Sequence, residues 1–147
     1  MGFETFFGKR DTSRAVGSAG VYVALLDLSG SMTVTKREVL KKVLGAFMKE
    51  NPNTILIGFA ERAEEVNLSE LDTGRVGYGN MTLGLELAQP RKPRHTVIIS
   101  DGGFSGLEDT SIVDKMTGSV TAIYIKAFRG SASNLDDRDR ENMRRLA

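Results

Sequence analysis

A chain of 147 residues, 40% of them hydrophobic, suits one domain with a real core, and its 20 basic residues nearly cancel its 19 acidic ones. The formal charge of +1 gives no electrostatic reason to expect nucleic acid or an anionic membrane as partner. With no cysteine and one histidine, disulfide frameworks, thiolate zinc sites, cysteine nucleophiles and all-histidine metal sites are excluded, so a metal would be held by oxygen, as Mg²⁺, Mn²⁺ or Ca²⁺ are.

Residues 1–20 read as an N-terminal extension and residues 21–147 as one domain. The extension carries Lys9, Arg10 and Arg14, and an apolar cluster of Phe3, Phe6 and Phe7 expected to pack on that domain. It lacks the apolar run of a secretory signal, and no later stretch reaches the ~20 apolar residues of a membrane span. The expected compartment is therefore the cytoplasm, or a virion for a phage-encoded chain.

Val21 to Leu26 is a continuous apolar run ending at Asp27. Unbroken apolarity, as opposed to alternation, is the mark of a central parallel strand covered on both faces. Lys36 to Glu50 follows as a helix, with Val39, Leu40, Val43, Leu44 and Phe47 at helical spacing. Thr35 with Glu38 reads as a capping box, and Asn51-Pro52 stops the helix. Thr54 to Phe59 is a second buried strand, and Glu64 to Leu68 a short edge strand beside it. Residues 69–81 are polar and glycine-rich; Leu83, Leu85 and Leu87 then suggest a short helix before Pro90. Thr96 to Ser100 is the next buried strand, Glu108 to Met116 a helix, Val120 to Lys126 a further strand, and Leu135 to Leu146 a charged, weakly amphipathic helix. Strands alternating with helices predict an α/β fold: a three-layer, open, mostly parallel sheet with helices on both faces.

In such sheets ligands bind beyond the carboxyl ends of the strands, where the strand order reverses. Asp27-Leu-Ser29-Gly-Ser31 follows the first strand directly, Asp101-Gly102-Gly103 follows a later one, and Thr82 opens the short helix between them. Asp27, Ser29, Ser31, Thr82 and Asp101 are all oxygen donors, carried by three loops to one edge of the sheet. Serine, threonine and aspartate also serve as helix caps and turn residues, which is the plainer reading of each. Tyr78 and Arg75 before Thr82, and Phe104 after Asp101, are placed to rim the same spot. Arg91-Lys92-Pro93-Arg94-His95 precedes a strand and so belongs to the opposite edge, as a solvated loop.

Asp27-x-Ser29-x-Ser31, with Thr82 and Asp101-Gly102 downstream, resembles the metal-ion-dependent adhesion site of von Willebrand factor A domains. The similarity runs from Val21 to Lys126 in element order as well as motif. It implies a Rossmann-like von Willebrand factor A fold, here in a compact version without room for a full sixth strand and its helix. It also implies that Ser29, Ser31 and Thr82 place hydroxyls on a metal, with Asp27 and Asp101 acting largely through bridging water. Two carboxylates would roughly balance a divalent ion held by neutral donors, leaving it electrophilic and open to an Asp or Glu carboxylate from a protein partner. Mg²⁺ is the favoured occupant, with Mn²⁺ or Ca²⁺ able to substitute.

The function this implies is a non-enzymatic, metal-dependent protein-binding module with no catalytic residues, acting beside an AAA+ ATPase or in self-assembly. The alternatives are a structural subunit of a phage particle or other ordered assembly, and a Mg²⁺-dependent phosphohydrolase. The last wants a second acid two residues after the first, where this chain has Ser29, and a suitably placed base, which His95 is not.

Overall fold

The apolar runs of the sequence become the strands of one sheet. The computed structural model describes residues 2–7, 18–74, 77–105, 111–126 and 134–147. In chain order these form β1 (Phe3–Phe7), β2 (Ser18–Asp27), α1 (Val34–Glu50), β3 (Ile55–Phe59), β4 (Ala63–Glu65), a 3₁₀ turn at Leu68–Asp72, the two-residue β5 (Gly79–Asn80) and α2 (Met81–Ala88). A 3₁₀ turn at Gln89–Arg91, β6 (Pro93–Ser100), the two-residue β7 (Phe104–Ser105), α3 (Ser111–Asp114), β8 (Ser119–Ile125) and α4 (Asn134–Leu146) complete them.

The main sheet runs β1-β8-β6-β2-β3-β4. β2 pairs in parallel with β3 and β6, and β6 with β8, while β1 and β4 close the two edges antiparallel. It is thus an α/β fold on a mixed six-stranded sheet. From β2 the chain builds outward first through β3 and β4, then on the other side through β6 and β8. The order therefore reverses between β2 and β6, and that is the switch point of the sheet.

Alternate residues of β2 explain its unbroken apolarity. Val23 and Leu25 enter one core layer with Ile57, Ile98 and Ala122, under α2, α3 and α4. Ala24 and Leu26 enter the other with Leu56, Val97 and Ile99, under Leu40 and Leu44 of α1. Both layers are closed, so neither face of the central strand meets water.

Three expectations are corrected. The sheet does have a sixth strand: β1, from the segment set apart as an extension, pairs with β8 from Phe3↔Ile125 to Phe7↔Thr121. Ser18–Gly20 likewise belongs to β2, so residues 1–20 contribute to the sheet at both ends. Of the phenylalanine cluster, Phe6 packs on the core, whereas Phe3 and Phe7 are 53% and 75% exposed.

The second correction concerns α1, which starts earlier than the capping box placed it. Thr33, in extended conformation, is the N-cap, and its side chain accepts from the Lys36 backbone N–H. Thirdly, the tail helix, only weakly amphipathic in sequence, is docked: Met143 and Leu146 of α4 are fully buried against β8. The helix expected over Glu108–Met116 is described only as α3, because 106–110 and Arg75 lie outside the described residues. No helix among the described residues is long and apolar enough to cross a membrane.

Candidate metal centre

Three loops meet at the switch point, and backbone hydrogen bonds fasten them together. Past Asp27 the chain stays on the sheet for one more residue, since Leu28 N–H donates to the Phe59 carbonyl at 2.9 Å. It then folds back, with Ser29 N–H on Asp27 Oδ1 (2.9 Å) and Met32 N–H on the Ser29 carbonyl (2.9 Å). This aspartate-led turn is the reason the carboxylate and the two serines stand so close in sequence. Gly30 N–H donates to the Gly77 carbonyl at 3.1 Å, joining this loop to the one before α2. β5 and β7 pair in parallel, Gly79↔Phe104 and Asn80↔Ser105, joining that loop in turn to the one after Asp101.

Asp27 is fully buried and all its hydrogen bonds are donated by neighbours. Ser29 Oγ donates to Oδ1 at 2.5 Å, and Ser100 Oγ donates to Oδ2 at 2.6 Å. Ser29 Oγ lies 3.4 Å from Ser31 Oγ. Asp101 Oδ1 accepts from Gly103 N–H at 3.0 Å, and Oδ2 accepts from the Lys36 ammonium at 2.9 Å. Burial, with the charge of Asp101 second, pushes the Asp27 carboxyl up to about 6, against the downward pull of the Ser100 and Ser29 hydrogen bonds.

Asp27, Ser29, Ser31 and Asp101 are thereby brought together. Thr82 sits half-buried in the first turn of α2, which Asn80 caps by accepting from Leu83 N–H at 3.3 Å. It stands three residues after Gly79, on the helix that the second of these loops leads into. Among the described residues no three acidic or histidine side chains cluster. A cation here would rest on two carboxylates and on hydroxyls.

Two glycines make room for one. A Cβ on Gly79 would stand 3.3 Å from Ser29 Oγ and 3.4 Å from Asp27 Oδ1. A Cβ on Gly103 would stand 3.3 Å from Asp101 Oδ1 and 3.6 Å from Ser31 Oγ. Any side chain at either position would fill the space above the oxygens, so the cradle suits a small, hard cation. Above it opens a cavity of about 830 Å³, lined by Ser29 and Ser31 at the floor and by Tyr78, Phe104 and Arg138 at the rim. Tyr78 is 79% exposed, while Phe104 is half-buried and also packs on the core.

Three contributors were not assigned from the sequence. Ser100 stands one step beyond the Leu26↔Ile99 pair, abreast of Asp27, and its hydroxyl both donates to Asp27 and accepts from Gly102 N–H at 3.0 Å. A polar residue closing an otherwise apolar buried strand is the signal it leaves. Lys36 occupies the first turn of α1, which has no acidic residue. A cation there opposes the helix dipole, a hint that an anion lies nearby. Asn142 of α4 donates to the Gly102 carbonyl at 3.0 Å, and nothing in the local sequence marks it. At the far end of the sheet His95 is half-buried, bonded to Ser119 and packed against Phe47 at 5.9 Å between ring centroids.

Compared with known protein families and with characterised proteins, the chain matches none.

Proposed function

We propose that this chain is a compact von Willebrand factor A-type domain that binds a protein partner's Asp or Glu side chain through one divalent cation, Mg²⁺ by preference, and catalyses nothing. The observation that carries the reading is the convergence of Asp27, Ser29, Ser31 and Asp101 beneath the space that Gly79 and Gly103 leave open. Bound there, the cation supplies an electrophilic point for a carboxylate oxygen. The residues do the rest. Ser100 and Ser29 hold Asp27 in one orientation, and Gly103 N–H does the same for Asp101. Tyr78, Phe104 and Arg138 offer an aromatic and cationic rim to a segment that carries an acidic residue inward.

A second reading, a structural subunit of an ordered assembly, draws on the exposed Phe3 and Phe7 of edge strand β1. Self-association that ignores EDTA would favour it.

The test of the first reading is isothermal titration of Mg²⁺ and Mn²⁺ into EDTA-stripped protein, with and without acetate as the carboxylate. Saturable one-to-one binding is expected, strengthened by acetate and lost in Asp27→Ala, whose fold is checked by circular dichroism. No saturable binding to the wild type at millimolar metal, with or without acetate, would overturn it.

A further inference from the structure

The charge balance of the cradle is not that of two aspartates alone. The Lys36 ammonium sits 2.9 Å from Asp101 Oδ2 and 3.2 Å from the Ser31 carbonyl, against two of the residues that carry the donors. The pair is sheltered: the side chains are 18% and 6% exposed, so water screens it little. Lys36 is held there by the fold, on the first turn of a helix whose N-cap and flanking Met32 are fixed by Thr33 and the core. At that helix terminus the ammonium works against the α1 dipole, and the Asp101 carboxylate offsets the repulsion.

From this contact we propose that Lys36 is a built-in countercation that makes tight metal binding conditional on the partner's carboxylate. The inference rests on the metal-binding reading above. Asp27, Asp101 and Lys36 together carry a formal charge of one negative. A divalent cation turns that into one positive, and a carboxylate from outside brings it to zero. Without Lys36 the two aspartates would neutralise the metal unaided, and an incoming carboxylate would find no net charge to meet. Lys36 therefore weakens the metal alone and strengthens the metal–carboxylate pair, which couples the two ligands in both directions. A carboxylate that ligates the metal is coupled to it in any case; the fixed positive charge of Lys36 enlarges that coupling.

The experiment is titration of Mn²⁺ into EDTA-stripped wild type, Lys36→Met and Lys36→Arg, each with and without acetate at constant ionic strength. Lys36→Met keeps the length and helix preference of the side chain and removes its charge. It is expected to bind Mn²⁺ alone about tenfold more tightly and to lose most of the gain that acetate brings, while Lys36→Arg behaves as wild type. Lys36→Met with wild-type affinity and wild-type acetate gain would overturn the role of Lys36 and leave the metal site standing. Weaker Mn²⁺ binding by Lys36→Met would also overturn it, by making the lysine a support for Asp101. Absence of saturable binding in all three proteins would overturn the metal reading itself.

Discussion

Asp27 is the residue on which the centre turns, and its protonation carries a cost that can be measured. Folding buries it and raises its ionisation from the ordinary 3.8 to about 6. Between those values the folded chain holds a proton that the unfolded chain has released. This group's contribution to the stability of the metal-free protein therefore falls as pH rises from about 4 to about 6, and stays low above that. The gap corresponds to about 3 kcal/mol. A divalent cation competes with the same proton, so Mn²⁺ affinity is expected to fall by up to about tenfold per pH unit below about 6. Mn²⁺ titration of the wild type across that range checks it: an affinity that falls below about pH 6 is the expected result, and a flat profile contradicts it. The candidate oxygens were legible in the sequence because serines and aspartates stood at the ends of apolar runs. Ser100 reads in the sequence only as the end of its strand, since a hydroxyl that bridges two strands shows its purpose only once the register sets it abreast of Asp27.

At the scale of elements, the strands were legible wherever burial on two faces made the sequence continuously apolar, as in β2, β3 and β6. The start of α1 was not. A capping box asks for Glu or Gln at the third helical position, and behind the true cap Thr33 that position is Lys36. The centre's electrostatics had displaced the local signal. α4 was legible as a helix but not as a docked one, because its anchors are few, chiefly Met143 and Leu146, and its remaining surface is charged. Beside those anchors it is clamped to the centre: Asn142 holds the Gly102 carbonyl, and Gly102 has a φ of +78° with the Asp139 backbone against the position a Cβ would take. Gly102→Ala is accordingly expected to strain the loop and push α4 away, lowering stability by about 1–3 kcal/mol. Hydrogen exchange should then show α4 opening ahead of the sheet. Unchanged protection of α4 would mean that Met143 and Leu146 suffice to hold it.

Across the whole molecule, the edge strand β1 was the least legible piece. Phe3–Phe7 is short, lies in a segment with three basic residues, and finds its partner at residues 121–125, so no local pattern could announce the pairing. Glu4 binds Arg140 of α4 through two hydrogen bonds (3.0 and 2.6 Å), and the Arg140 guanidinium lies 5.2 Å from the Phe6 ring centroid. The two ends of the chain thus grip each other at the edge remote from β4. Phe6→Ala is expected to lower the unfolding free energy by about 2 kcal/mol while leaving Mn²⁺ affinity as it was, since β6 and β8 separate β1 from the strand bearing Asp27. Chemical denaturation and metal titration of the same preparation check both halves. The seating of β1 also sets a timetable for the chain as it is made. β1 must wait for β8, made more than a hundred residues later, and Phe3 to Phe7 stay unpaired by it while β2, β3 and β6 assemble. Closing that edge is then a late step of folding, taken after residues 27–101 have gathered the oxygens of the centre.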